Sequence, residues 1–241
     1  MSMHKAPVGI IAAMGLEAEG LLSRMTDVTV ESISNITFSS GLLHGIPCVV
    51  AVCGIGKVFA ALCAQTMILR YEPRLILNTG VAGSLSDALT IGDIAIAETL
   101  VQHDMDTSAL GDPVGLISGI NVVHLPCDEE ASKGLATCAA SLEGVSVKRG
   151  VIASGDKFMS DAAEKQRIAS LFGAVACEME GAAIGQVCYV NQVPCAVMRA
   201  ISDGGDEAAA IDYPTFAKMA AERAVSAIDT FFSHLGKSDI S

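Results

Sequence analysis

The stretch CAVMRAISDGG, residues 195–205, joins an apolar run that contains a lone cation, Arg199, to an acid and two glycines. A continuous apolar run of this length is typical of a strand buried on both faces, as in a sheet covered by helices. Asp203 follows the run directly, and Gly204 and Gly205 let the backbone turn tightly after it. The stretch therefore predicts a buried strand that carries a carboxylate to the edge of a sheet.

Similar short runs rich in Val and Ile alternate along the chain with Ala-rich segments of helical spacing, and this alternation predicts an α/β fold with a mostly parallel or mixed sheet. Residues 28–43 mix Thr, Ser, Val and Ile and favour a hairpin. No tandem repeat divides the chain, so we expect a single domain over residues 1–241. The predicted strands are 8–13, 47–53, 74–78, 91–97, 147–153, 174–178 and 194–201, and the predicted helices are 16–25, 57–71, 129–141, 161–171, 181–191 and 213–234.

Composition narrows the classes of function. Of 241 residues, 51% are hydrophobic and 17% are charged, which is enough apolar material for one large core. The net charge of −12 would repel a nucleic acid backbone or an anionic membrane. The eight cysteines lie singly in apolar stretches without a C-x-x-C pair, which favours unpaired core residues in a reducing compartment.

The first apolar run, PVGIIAAMGL, follows Lys5 and so imitates a secretion signal. Glu17 and Glu19 end the run too early for a membrane span, and no small-residue cleavage pattern follows. We therefore expect a first core strand and a cytoplasmic enzyme.

The segment HDMDTSALGDPVGLISG, residues 103–119, is too long to be an ordinary connection and is dense in Gly, Asp, Ser and Pro. It is expected to be a lid or a dimer contact. Its HDMD sequence imitates the spacing of metal ligands, but one His and two Asp on a polar loop are more typical of turns and caps. No metal is predicted.

Three acidic positions follow predicted strands: Glu17, the pair Glu178 and Glu180, and Asp203. In open α/β sheets ligands bind beyond the carboxyl ends of the strands, so these side chains are candidates for one site. Each acid alone is more typical of a helix cap or an ion pair. We expect Glu178 to be such a structural residue and to pair with Arg199, because either charge would be costly to bury alone.

Two glycine loops, CGIGKV at 53–58 and NTGVAGSL at 78–85, resemble nucleotide motifs but fit neither. A P-loop requires Ser or Thr after its Lys, and Val58 stands there; a dinucleotide fingerprint requires a third small residue, and Phe59 stands there. Their simpler use is close approach of main-chain groups to a flat ligand.

Taken together and in order, the motifs GIIAAMGLE, CGIGKV, NTGVAGSL, SGDKFM, CEMEGAA and RAISD resemble the 5′-methylthioadenosine/S-adenosylhomocysteine nucleosidases, relatives of the nucleoside phosphorylases. The resemblance runs from about residue 8 to residue 232, with loose termini outside it. It implies one three-layer α/β/α domain with a mixed central sheet, usually a homodimer. It also implies hydrolysis of the bond between adenine N9 and ribose C1′, with no cofactor.

The resemblance also implies a role for each matching residue. Asp203 would protonate adenine N7, Glu17 would activate the attacking water, and Glu180 would hold the ribose 2′ and 3′ hydroxyls. Such a donor and base, one on each side of the sugar, are what an inverting glycosidase needs. The remaining implied substrate contacts are Gly83, Met159, Met179, Phe158, Ala82, Val81, Ile55, Ser202 and Tyr213.

Two positions depart from the family pattern. Val81 stands where the family often has Ser, and Leu110 stands where an aromatic residue of the partner subunit commonly covers the 5′ group. The sequence therefore does not choose between methylthioadenosine and adenosylhomocysteine.

Three alternatives stay open at this point. They are a phosphate-dependent nucleoside phosphorylase, a nucleosidase acting on aminodeoxyfutalosine, and a nucleoside-binding protein without catalysis. A phosphate-binding site usually contains cationic side chains, whereas Glu17 at the nucleophile position would repel the phosphate anion.

Overall fold

The structure is a computed structural model and describes residues 6–238. Within this range the chain forms eleven strands and six α-helices, with a short 3₁₀ helix at Ser108–Leu110. The strands are β1 (Val8–Ala12), β2 (Thr26–Ile33), β3 (Ile36–Leu43), β4 (Ile46–Val52), β5 (Leu75–Thr79), β6 (Val81–Ser84), β7 (Ile94–Gln102), β8 (Leu125–Pro126), β9 (Val147–Ser154), β10 (Ala174–Glu178) and β11 (Cys195–Asp203). The helices are α1 (Gly15–Leu22), α2 (Lys57–Tyr71), α3 (Glu129–Ala140), α4 (Ala162–Phe172), α5 (Gly181–Asn191) and α6 (Ala209–Ser238).

The described strands form a mixed sheet in the order β2-β3-β4-β1-β5-β11-β6-β10-β9-β7-β8. β11 is the strand that joins its two halves. Residues Cys195–Val197 pair in parallel with β5, and Ala200–Asp203 pair in parallel with β6. β11 also pairs antiparallel with β7 around Arg199, so that β11, β6, β10, β9 and β7 close into a ring. The predicted α/β fold with a mixed sheet is confirmed.

Helices cover both faces of the sheet, as the continuous apolar strands predict. In β1, Ile11 packs in a cluster with α2 and α5, whereas its neighbour Ile10 packs in a second cluster with α1, α3 and α6. Successive side chains of a strand point to opposite faces, so this division is the three-layer arrangement itself. Gly9 permits close packing, since a side chain there would collide with Met67 Sδ.

The predicted hairpin at 28–43 is confirmed as β2 and β3, and its turn is Ser34–Asn35, both with positive φ. The prediction missed two strands, and both reasons are local. β6 was interpreted as a glycine loop, but the segment Val81–Ser84 lies between β11 and β10 and pairs with both. β8 is only two residues long and carries no strand pattern. Helix α1 also ends at Leu22, earlier than the predicted residue 25.

All eight cysteines are unpaired, and all except Cys127 are buried. Burial raises the pKa of the Cys48 thiol to about 11, so it stays neutral. Among the helices of residues 6–238, none combines the length and apolar character needed to cross a membrane. The expectation of loose termini concerns residues that partly lie outside the described range.

Candidate active site

Three strand ends surround one cavity of about 340 Å³. They are the ends of β1, β10 and β11, and β6 supplies a further wall. This volume lies within the range of small-molecule sites. The cavity is lined by every site residue predicted from sequence except Leu110, namely Glu17, Ile55, Val81, Ala82, Gly83, Phe158, Met159, Met179, Glu180, Ser202, Asp203 and Tyr213.

Glu17 enters the cavity from the first turn of α1 and is 3% exposed. Its Oε2 accepts hydrogen bonds from the backbone N–H groups of Ala13 (3.0 Å) and Met14 (2.8 Å), and its Oε1 accepts one from Val81 N (3.0 Å). Gly80 makes room for this carboxylate, because a side chain there would meet Oε1 at 2.6 Å. Burial raises the pKa of Glu17 even though Arg199 and the three amides oppose the rise.

Asp203 is the last residue of β11 and is 2% exposed. Its Oδ2 accepts a hydrogen bond from the Ser202 hydroxyl (2.9 Å) and its Oδ1 accepts one from Gly205 N (2.9 Å). Burial raises the pKa of Asp203 against these two bonds. Gly83 faces it from β6, where a side chain would meet Oδ1 at 2.8 Å. The carboxyl group is therefore desolvated and has no cation bonded to it in the described residues.

Glu180 lies at the N-cap of α5, beyond the end of β10. Its Oε1 accepts a hydrogen bond from Gly56 N at 2.7 Å. Burial, together with the neighbouring Glu178 charge, raises the pKa of Glu180 to about 7, although Arg199 and Gly56 lower it. Since the strand ends at Glu178, the side-chain alternation of a strand does not extend to Glu180.

The predicted pair between Glu178 and Arg199 is confirmed. Arg199 Nη2 donates to Glu178 Oε2 and to Asn78 Oδ1, and Nη1 donates to the Met198 carbonyl at 2.9 Å. Glu178 Oε2 also accepts from the backbone of Glu180 (3.0 Å) and Gly181 (2.7 Å). The pair therefore anchors the first turn of α5. Glu178 also borders the cavity, although we expected only a structural role for it.

Apolar side chains form the rest of the cavity wall. Phe158 and Tyr213 meet edge to face, with ring centroids 5.5 Å apart and an interplanar angle of 74°. The Tyr213 hydroxyl donates to Met14 Sδ at 3.2 Å. Met159 is buried, whereas Phe158 and Ile55 are 42% and 54% exposed, so the last two mark the mouth. A flat aromatic ligand would match such a wall.

Leu110 is not brought to this cavity within one chain. It lies on the 3₁₀ helix and is 84% exposed. The neighbouring HDMD residues have partners other than a metal. Asp104 pairs with Lys57, Asp106 accepts from Ser108 N, and His103 is buried next to Cys177. Among the described residues no group of three or more His, Cys, Asp or Glu could hold a metal ion.

The sequence model of the Phosphorylase superfamily matches residues 7–233. The chain belongs to the phosphorylase superfamily. The 5′-methylthioadenosine/S-adenosylhomocysteine nucleosidase of Shewanella loihica is 34% identical over 229 residues, which cover 95% of this chain and 99% of that protein. The aminodeoxyfutalosine nucleosidase of Campylobacter jejuni is 37% identical over 209 residues, which cover 87% of this chain and 90% of the relative.

Solved structures of the phosphorylase superfamily agree with this placement. The 5′-methylthioadenosine/S-adenosylhomocysteine nucleosidase of Neisseria meningitidis, in complex with methylthio-immucillin-A, superposes with a TM-score of 0.92 at 32% identity, covering 95% of this chain and 100% of the other. The resemblance that the six motifs indicated is therefore confirmed, together with the nucleoside phosphorylase type of fold.

Five residues that line the cavity were not predicted as site residues: Ala13, Met14, Lys157, Cys177 and Glu178, the last of which was expected to be structural. Met14 could have been found, because it directly follows the predicted strand 8–13 and precedes Glu17. Lys157 stands next to Phe158 in a quoted motif. Ala13 and Cys177 belong to apolar runs, where nothing in the residue type distinguishes a cavity wall from a core position.

Proposed function

We propose that the chain is a hydrolase that cleaves the N9–C1′ bond of 5′-methylthioadenosine, S-adenosylhomocysteine or both, releasing adenine and the thioribose. The observation that carries this proposal is the placement of Glu17 and Asp203 in one nucleoside-sized cavity, on different walls and with separate hydrogen-bond partners. Breaking an N-glycosidic bond needs a proton donor for the purine and an activated water for the sugar.

Asp203 is the proposed general acid, which protonates adenine N7 as the bond breaks. A donor must hold its proton near neutral pH, and burial raises the pKa of Asp203 in the direction required. Ser202 and Gly205 each donate to one carboxyl oxygen, so they fix the plane of the group.

Glu17 is the proposed base that orients or deprotonates the attacking water. Three backbone N–H groups donate hydrogen bonds to its two oxygens. These bonds fix the orientation of the carboxylate, although a Glu side chain is itself flexible. Val81 donates one of these bonds through its main chain. The departure from Ser at this position therefore leaves the position of the base intact.

Glu180 is the proposed acceptor for the ribose 2′ and 3′ hydroxyls. Its Oε1 already receives Gly56 N, and its Oε2 accepts no hydrogen bond from residues 6–238. A carboxylate has lone pairs enough for two further hydroxyl groups. Met179, next to it in the chain, would lie under the sugar, and Phe158 and Met159 would line the adenine site.

Water is favoured over phosphate as the nucleophile. The cavity is lined by the carboxyl groups of Glu17, Glu178, Glu180 and Asp203, and within the described part of the chain Lys157 is the one cation that lines it. A phosphate ion would meet net negative charge. The deciding experiment is an ultraviolet assay of adenine release with and without phosphate. An absolute phosphate requirement would refute the hydrolase.

A second candidate function is hydrolysis of aminodeoxyfutalosine, because the Campylobacter jejuni relative of that name is 37% identical. The same three carboxylates would serve both reactions. A substrate panel of methylthioadenosine, adenosylhomocysteine, adenosine, inosine and aminodeoxyfutalosine separates the two. The preferred substrate is the one with the largest kcat/KM.

We also propose that the chain is one cytoplasmic domain that forms a homodimer. Along α2, Val58 and Leu69 are 77% and 73% exposed, and on α5 Val190 is 58% exposed. Apolar surface of this kind is typical of a subunit interface. Leu110 would then approach the partner's cavity. Light scattering on a sizing column tests this proposal, and a mass of one chain at all concentrations would contradict it.

A further inference from the structure

Three loops that are far apart in sequence meet beside the candidate active site. They are the loop between β4 and α2, the loop that follows β7, and the loop that follows β9. A closed set of hydrogen bonds joins Lys57, the first residue of α2 at the end of the first loop, to Asp104 and Asp156 in the other two loops. We call this set the three-loop ring.

Each side of the three-loop ring is a short polar contact. Lys57 Nζ lies 2.6 Å from Asp104 Oδ1. Asp104 Oδ2 accepts a hydrogen bond from Asp156 N at 2.9 Å, and Asp156 Oδ1 accepts one from Lys57 N at 2.8 Å. The ring therefore uses main-chain groups of two loops, so it fixes backbone positions and not only side chains.

The three-loop ring is connected to the cavity by the successive backbone N–H groups of Gly56 and Lys57. The N–H of Lys57 donates to Asp156, and the N–H of the preceding residue, Gly56, donates to Glu180 Oε1 at 2.7 Å. Two successive amides at the start of α2 are thus held by two carboxylates. Gly56 has φ +99°, and a side chain there would meet Asp156 Oδ1 at 3.1 Å, so glycine is required. A shift of Asp156 would move the donor that orients Glu180.

We propose that the three-loop ring is a positioning device for ribose recognition, and that Lys57 and Asp104 are positioning residues that act through Gly56 and Glu180. This inference rests on the proposed role of Glu180 in holding the ribose hydroxyls. Neither Lys57 nor Asp104 lines the cavity, so any effect on substrate must pass through the loops that they hold. Phe158 and Met159 follow Asp156 closely, so the same ring also sets the wall on the mouth side.

The test is the discrimination between methylthioadenosine and its 3′-deoxy analogue, which reports how well Glu180 meets the 3′ hydroxyl. For D104N we expect a loss of about tenfold in kcat/KM for methylthioadenosine, carried mainly by KM, because a charge-assisted contact is lost. The ratio of kcat/KM between the two substrates should fall by a similar factor. Loss of activity on both substrates in equal proportion would overturn the proposal.

A double-mutant cycle shows whether the effect passes through Glu180. In the E180Q background, D104N should lower kcat/KM by less than about twofold, because the group that it positions has already lost its charge. K57M is the second variant, and it removes the Nζ contact with Asp104 while the backbone bond from Lys57 N to Asp156 stays in place. K57R should restore much of the ratio that K57M loses. Full additivity of D104N and E180Q would show that the ring is structural only.

The matched control is E129Q, which removes a carboxylate charge from an exposed ion pair with Lys133 and Arg149 away from the cavity. It should leave both the rate and the substrate ratio unchanged. Failure of the proposed function looks different, because the unmodified chain would then hydrolyse no nucleoside of the panel. Normal hydrolysis with a ratio that D104N and K57M leave unchanged would refute the ring alone.

Discussion

Two sets of buried ionisable side chains lie at the ends of the same few strands, and the two sets have different kinds of bonding partners. Glu178 and Arg199 form an ion pair. Asn78 accepts a further hydrogen bond from Arg199, and Ser154 and neighbouring backbone amides donate to Glu178. Glu17 and Asp203 receive only neutral N–H and O–H donors. The first set is an ion pair whose two charges compensate each other, although Arg199 Nε has no hydrogen-bond partner among the described residues, and the second set consists of carboxyl groups that remain reactive.

The electrostatics follow from this difference. Burial raises the pKa of both Glu17 and Asp203, since no bonded cation compensates for desolvation. The Arg199 guanidinium keeps its proton, and its charge lowers the pKa of Glu17 and Glu180 in part. Pairing one carboxylate fully while leaving its neighbours unpaired lets a single apolar region both fold and exchange protons.

The largest expected effect comes from the unpaired set. D203N should reduce kcat by roughly 10²–10⁴-fold, because an amide cannot donate the proton that the purine needs. Stability should be preserved, since Asn can still accept one of the two hydrogen bonds. Steady-state kinetics and a ligand titration measure the two properties, and D87N, at an exposed site, is the matched control. Unchanged turnover in D203N would remove Asp203 from the mechanism, and a chain without turnover before mutation would favour a binding protein.

The second largest expected effect is a loss of stability when the ion pair between Glu178 and Arg199 is broken. E178Q leaves Arg199 buried without its counter-charge, which should lower the free energy of unfolding by about 3–5 kcal/mol. The comparison is E129Q, where water already solvates the exposed carboxylate, so the free energy of unfolding should change little. Urea unfolding measures both. If E178Q is as stable as the parent but no longer binds substrate, the division between the two sets is wrong.

Glu180 stands between the two sets and gives a prediction for pH. Its pKa of about 7, raised by burial and by Glu178, means that it is anionic above pH 7 and neutral below. The anion is the better acceptor for two hydroxyls, so kcat/KM should fall as pH drops below 7, by up to about tenfold per unit. Burial raises the pKa of Asp203, which extends the pH range in which it can donate, and the rate should fall where Asp203 loses its proton.

The variant E180Q assigns the acid limb of this profile. It should lower kcat/KM and remove the limb near pH 7, because an amide does not titrate. If the limb persists in E180Q, it belongs to another group, and Glu17 is then the candidate because burial also raises its pKa. Profiles over pH 5–9 for both chains make the comparison.

The sequence predicted those parts of the fold and site in which residue type alone carries the signal. Apolar runs located most strands, and opposite charges in two such runs were enough to pair Glu178 with Arg199. Asn78 and Ser154, which complete that network, are uncharged and follow no pattern, so only the folded chain reveals them. The three-loop ring could not be predicted either. Its members, Lys57, Asp104 and Asp156, are far apart in sequence, and no periodicity of the sequence connects them.

The smallest expected effect concerns Val81, which lies beside the unpaired set. Its N–H already holds Glu17 Oε1 at 3.0 Å, so V81S keeps that bond and adds a hydroxyl near the base. One added hydrogen bond contributes about 1 kcal/mol, which is roughly fivefold in kcat/KM. The control is V28S on the exposed strand β2, which should change nothing. A change in V81S much larger than fivefold would mean that backbone donors alone do not hold the base, and that the reactive set depends on side chains as the paired set does.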